Sequence, residues 1–147
     1  GMNLSTPEAE RLREYMLRGG FLVIDDFWGT SEWRNFYAQL HKIFPDREPE
    51  EIPSSHQIFH SFFDIEQVLQ VPNVNNGCSG GPTYQRDGYV PYALAIFDDD
   101  RRPMMVINFN TDIGDAWEWA DVECYPNQYA GYAFRMGINW IVYSMTH

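Results

Sequence analysis

Four consecutive apolar residues, Phe21-Leu-Val-Ile24, stand between the glycine pair Gly19-Gly20 and the adjacent carboxylates Asp25 and Asp26. A run that short and apolar at every position fits a strand buried on both faces, as in the parallel sheets of α/β domains. The glycines stop whatever precedes it. The carboxylates arrive at its C-terminal end, which is where open α/β sheets take up ligands. The run is also far short of the roughly 20 apolar residues that a membrane span requires, so no membrane insertion by this chain is expected.

The flanking text agrees with an α/β unit. Ser5 or Thr6 caps a first helix, Pro7 sits where a first turn tolerates it, and Glu8 and Glu10 face the positive helix end. Leu12, Tyr15 and Met16 recur at helical spacing and are expected on the sheet. A second helix is expected from Thr30 or Ser31 to Phe44, burying Trp33, Phe36, Tyr37, Leu40 and Phe44, with Pro45 as its stop. From Arg47 to Ile65 the sequence predicts short strand or turn segments that bury Ile52, Ile58, Phe59, Phe62 and Phe63. Residues Val71 to Gly88 hold four glycines, two prolines and three asparagines, a composition that predicts a long exposed loop.

Tyr92–Phe97 and Met104–Phe109 flank Asp98-Asp-Asp-Arg-Arg102 and read as a β-hairpin with a charged turn. From Pro126 to about Met145 a long apolar helix is expected, with Tyr129, Ala133, Met136, Trp140 and Tyr143 along one face. No repeat or linker interrupts the pattern, so residues 2–147 read as a single α/β domain, and Gly1 ahead of Met2 has the look of a tag-removal scar.

Charge narrows the partners. Twenty-one acidic residues against ten basic give a formal net charge of −11, with Lys42 as the single lysine. Polyphosphate binding needs clustered Lys and Arg to displace counterions, which excludes nucleic acid as the expected partner. Cys78 and Cys124 leave both pairing and free thiols open, and two cysteines do not fix the redox compartment. The localisation is therefore left open.

Side chains alternate along a strand, so one of Asp25 and Asp26 should face the cleft as general base or ligand contact while the other satisfies backbone donors in the turn. Trp28 and Trp117 lie within a few residues of cleft carboxylates and could stack on a sugar or other flat ligand, although core packing is the commoner use of tryptophan. From Asn108 the oxygen-bearing residues alternate in the manner of a calcium loop, but the sixth and twelfth positions, Ile113 and Trp119, are not the required glycine and glutamate. A divalent metal held in another geometry by Asp112 and Asp115 is a candidate; a capped turn with a solvated acidic face is the alternative.

His56 and His60 have helical metal-ligand spacing, yet Pro53 is near and the glutamate of the zinc-protease motif is missing, which favours a structural role. Gly77-Cys78-Ser79-Gly80-Gly81 fits the loose Gly-x-Ser-x-Gly pattern without the strand before and helix after that a nucleophile elbow needs, and so reads as a flexible glycine loop.

At Gly19–Gly29, His56-Gln-Ile-Phe-His60, Asn110-Thr-Asp112, Trp117-Glu118 and the ending from Gly137 to His147, the chain resembles a bacterial family catalogued only as a domain of unknown function. That family looks like a branch of the class I glutamine amidotransferase-like superfamily, near the trehalose-utilisation-type proteins. The resemblance implies a flavodoxin-like three-layer sandwich with helices on both faces of the sheet, here followed by the C-terminal β-hairpin and long helix. It places Asp25-Asp26 where amidotransferases carry the catalytic cysteine, and no histidine-glutamate partner pair matches, so thiolate glutamine hydrolysis is not expected.

By analogy the resemblance hints at a small polar ligand, carbohydrate among the options, with Trp28, His56, Asn110, Asp112, Trp117 and Glu118 as ligand-binding residues and Asp25 and Asp26 as the catalytic pair of a hydrolase alternative. A third reading is an assembly module that binds a protein partner. The resemblance also implies further strands ahead of the first helix, and without them an uncovered sheet edge would favour a homodimer or strand exchange.

Overall fold

The computed structural model describes residues 1–147. Its elements are helices α1 (Thr6–Leu17), α2 (Gly29–Ile43), α3 (Val74–Ser79), α4 (Ile113–Glu118) and α5 (Asn127–Thr146), and strands β1 (Leu22–Phe27), β2 (Glu50–Glu51), β3 (Tyr92–Phe97) and β4 (Pro103–Phe109). One 3-10 turn covers Gln57–Phe59.

The strands form one mixed sheet in the order β1-β4-β3-β2. β1 and β4 run parallel, with Val23 beside Val106 and Ile24 beside Ile107, while β3 is antiparallel to both β4 and β2. The expected hairpin forms around Asp98–Arg102, with the Asp98 carboxylate accepting from the backbone N–H groups of Asp100 and Arg102. A flavodoxin-like sheet is mostly parallel; here one strand pair of three is.

Two cores result. On one face α1 and α2 bring Met16, Phe36, Leu40, Ile43 and Phe44 against Met105 and Ile107. On the other, α5 brings Ala133, Met136, Trp140 and Tyr143 against Ala95, Phe97 and Val106. Ser5 and Glu8 form a reciprocal cap at α1. Arg102 ties the end of α1 to the hairpin by donating to the Met16 and Gly20 carbonyls.

Three expectations are corrected. Val71–Gly88 is not all loop: the Asn73 side chain accepts from Asn76 N–H to start α3, Gly80 ends it at φ 67°, and Cys78 is joined to Cys124. Local caps and a crosslink overrode a composition poor in helix formers. Tyr15 is half exposed and folds back over Gly20, its hydroxyl donating to the Phe21 carbonyl. Phe62 is 67% exposed, because Asn139 takes the Phe62 and Phe63 N–H groups and holds that segment at the surface.

Gly29 links β1 to α2 at φ 71°, and a Cβ there would overlap the Asp87 carboxylate that caps Thr30. Gly29→Ala is expected to destabilise the fold by about 2 kcal/mol or more, from the left-handed backbone alone and then from the displaced carboxylate. Urea unfolding checks this; a midpoint within error of wild type would show that the turn can rearrange freely.

Candidate functional site

Because β1 and β4 are parallel, their C-terminal ends deliver Asp25-Asp26 and Asn110-Thr-Asp112 to the same side of the molecule. Asn110 fixes the junction. It sits at φ 61°, its Oδ1 accepts from Gly29 N–H at 2.9 Å, and its Nδ2 donates to the Val90 carbonyl at 2.7 Å. Gln70 donates to the Asn110 and Gly88 carbonyls, so the segment before β3 is laced across the strand ends.

Around this junction four carboxylates converge. Asp25 Oδ2 accepts from Gly114 N–H at 2.8 Å, and Asp112 Oδ1 caps α4 by accepting from Asp115 N–H at 2.8 Å. Both oxygens lie within 4 Å of the point where a Gly114 Cβ would stand, at 3.6 and 3.8 Å. Asp115 Oδ2 accepts from Val74 N–H at 2.7 Å, which holds α3 against α4. Asp26, at φ 55°, accepts from the Trp28 indole N–H at 2.9 Å.

Burial governs their protonation. Desolvation pushes Asp25 up to about 6; the Gly114 N–H and the nearby Asn108 amide pull it down, and the Asp26 charge raises it. Asp112 is 3% exposed, and desolvation lifts it to about 8 against the Asp115 N–H, with the charges of Asp26, Asp115 and Asp25 adding to the rise. At neutral pH Asp112 therefore holds its proton while Asp25 is mostly ionised. Asp25 Oδ1 and Asn108 Nδ2 are both fully buried without a hydrogen-bond partner.

Two grooves flank the β1 edge. On the α2 side a cavity of about 470 Å³ has Asp25, Asp26, Ser31, Glu32, Asn35 and Arg86 on its polar wall, the rest of the wall being apolar side chains and the N-terminal Gly1 and Met2, and Arg86 Nη2 is 2.8 Å from Glu32 Oε1. On the α5 side a groove of about 540 Å³ is mainly apolar and runs past Phe21, Val23, Trp117 and Ile138, with Asp25 at its polar end.

Of the residues singled out from sequence, Asp25, Asp26, Asp112 and Asp115 come together. Trp28 is 2% exposed, so its ring faces are spent on packing. Trp117 is exposed but lines the apolar groove, and Glu118 follows it at the surface of α4. His56 is at the opposite end of the sheet, capping the 3-10 turn and packing on Phe97 and Tyr143. His60 is held by Asp64 and the Ser54 carbonyl. Cys78 is in a disulfide, so it offers no thiolate.

No group of three or more His, Cys, Asp or Glu side chains is arranged to hold a metal ion. Sequence reading missed Ser31, Glu32, Asn35 and Arg86. The first three fall on the exposed side of α2, and Arg86 reaches Glu32 across more than fifty positions, a juxtaposition that no local pattern carries.

A family model described as a domain of unknown function (DUF4159) matches residues 1–145. No curated protein matches the chain.

Proposed function

We propose, for a chain that belongs to the DUF4159 family, that it is a small polar-ligand binding domain whose contact point is the Asp26 carboxylate. One observation carries the reading: Asp26 is an exposed, non-glycine residue in the left-handed region, pinned by Trp28, and it borders a groove of mixed polar and apolar lining. Such backbone conformations persist where the surroundings over-determine them, and they cluster at ligand sites.

Ser31, Glu32, Asn35 and Arg86 supply mixed donors and acceptors around the same groove, which suits a hydroxyl-rich ligand such as a sugar or polyol. On this reading the domain descends from the glutamine amidotransferase-like superfamily, the mixed sheet being a reduced flavodoxin-like sandwich with the carboxylate pair in place of the nucleophile.

A second reading, a carboxylate-assisted hydrolase, draws on one observation. Asp25 and Asp112 have pKa values pushed apart to about 6 and about 8, which is how a base and an acid are set side by side. A divalent cation on Asp112 and Asp115 would have to share them with the Asp115 and Val74 N–H groups.

Thermal unfolding with a panel of sugars and polyols, and separately with calcium, magnesium, manganese and zinc, tests both. A ligand at a hundred times its dissociation constant adds about 2.7 kcal/mol, which corresponds to an upward shift of roughly 5–11 °C for a domain of this size. The expected result is such a shift with a polyol in the wild type and its loss in Asp26→Asn. A shift that persists in Asp26→Asn, or none with any compound, overturns the binding reading; product formation abolished by Asp25→Asn would move the assignment to the hydrolase.

A further inference from the structure

β1 ends the sheet, with no strand paired along its outer edge. Its sequence is that of an interior strand, yet Phe21, Leu22, Val23 and Ile24 are each only half buried. Natural edges are usually blunted by lysine, proline or an inward charge. Here that protection is confined to the bulge and carboxylates after Ile24.

Beside this edge α5 shows a second unpartnered feature. Phe134, Ile138, Ile141 and Met145 follow the alternating four- and three-residue spacing of a helix-packing seam. With Trp117 of α4 they are between 37 and 80% exposed. The helix's inward face, Ala133, Met136, Trp140 and Tyr143, is already committed to the core.

We infer that the β1 edge and the outer stripe of α5 form a homodimer interface, in which a second copy of this chain adds its own β1 antiparallel to the first and sets its α5 stripe against the first.

Symmetry fixes the register. In an antiparallel pair, residues directly opposite each other point to the same face, so a two-fold axis normal to the sheet must pass through a residue pair and not between residues. Centred on Val23, it sets Val23 against the second copy's Val23 and Leu22 against its Ile24. Asp25 then meets the second copy's Phe21, and the two Asp25 residues stand about 13 Å apart along the strands, so the carboxylates do not confront each other.

Charge argues for a second copy on this face. Residues 127–146 contain no carboxylate and one charged side chain, Arg135, and in the paired stretch Phe21–Asp25 the single charged side chain is Asp25 at its end. Elsewhere a chain of net charge −11 presents acids to its like. Glu118, after Trp117 on α4, is an exposed acid.

The exposed stripe supplies more than half of the area such an interface needs. A stable interface buries about 800 Å² on each partner. With aromatic side chains carrying roughly 150–250 Å² each and Ile and Met about as much at the lower end, the five exposed ones supply on the order of 500 Å², and the strand edge and the walls of the apolar groove add to it. The groove of Asp26 opens on the other face of β1, so this interface stands independently of the ligand reading.

Sedimentation of the full chain across a concentration series tests the inference, using wild type, Ile141→Glu and Met145→Glu. Both positions are exposed at 61 and 80%, so the variants keep the monomer fold, and an unchanged circular dichroism spectrum verifies it. The wild type is expected to reach twice the chain mass, with association strengthened by added salt as like charges are screened. Each glutamate should weaken association roughly tenfold or more, since an unpaired charge would be buried. Hydrogen exchange of the β1 amides that point away from β4 should be slow in the wild type and fast in the variants. A single-chain mass at every concentration overturns the inference. So does a doubled mass that survives both glutamates, or one in which the β1 amides that point away from β4 exchange freely.

Discussion

At pH 8, Asp112→Asn is expected to unfold well above the wild type. Burial holds the Asp112 pKa near 8 in the folded protein against an ordinary carboxylate value of 3.8. Between those values the folded state keeps a proton that the unfolded state releases, so stability falls as pH rises through that window and levels off above it. Asparagine has no proton to lose and still offers Oδ1 to the Asp115 N–H that starts α4.

The gain should be about 5 kcal/mol at pH 8, or roughly 10–20 °C in Tm, and it should vanish toward pH 4. Asp112→Ala removes the same charge but also the cap, and should fall about 1 kcal/mol below the asparagine variant at every pH. Thermal melts of the three proteins across that pH range decide the matter. Parallel curves for wild type and Asp112→Asn would mean that the carboxyl is ionised in the fold.

Breaking the Cys78–Cys124 crosslink should have an effect of similar size and opposite sign. The bridge closes a loop across 46 positions, and the loop entropy restored to the unfolded chain corresponds to about 4 kcal/mol. Cys78→Ser should therefore lower Tm by roughly 8–16 °C. The loss should be concentrated in α3, whose Gly77 packs on Tyr125 one residue beyond Cys124. Wild type melted with a thiol reductant should follow the variant. A drop of only a degree or two would show that α3 is held by Asn73, the Tyr125 contact and the Asp115–Val74 bond without the bridge.

Much of the frame is written locally. Ser5, Pro7 and Glu8 announce α1, Pro45 marks the end of α2, and the charged run after Phe97 announces the hairpin, because caps and turns depend on neighbours within four residues. The buried faces of α2 and α5 follow from helical spacing for the same reason.

The site is legible only in part. Asp25 and Asp26 are placed by strand order, and Asp112 by its position after β4. That Asp25 should meet the Gly114 N–H, or Asn110 span Gly29 and Val90, depends on contacts separated by 89, 81 and 20 positions. Trp28 illustrates the limit. Its place beside the carboxylates is readable, but its burial comes with a left-handed backbone at Asp26, which the residue types permit without requiring.

The two rims of the sheet are unequal. β2 is two residues long, both are exposed glutamates, and Glu50 is tied to Arg101 at 2.9 Å, whereas β1 is six residues long and begins with three aliphatic residues. Open-ended accretion into a fibre needs two receptive rims on every molecule, and this one has a single receptive rim. Once β1 is occupied, only the glutamate rims face outward, so accretion ends with the first pairing and the β2 side acts as a terminator built into the sheet.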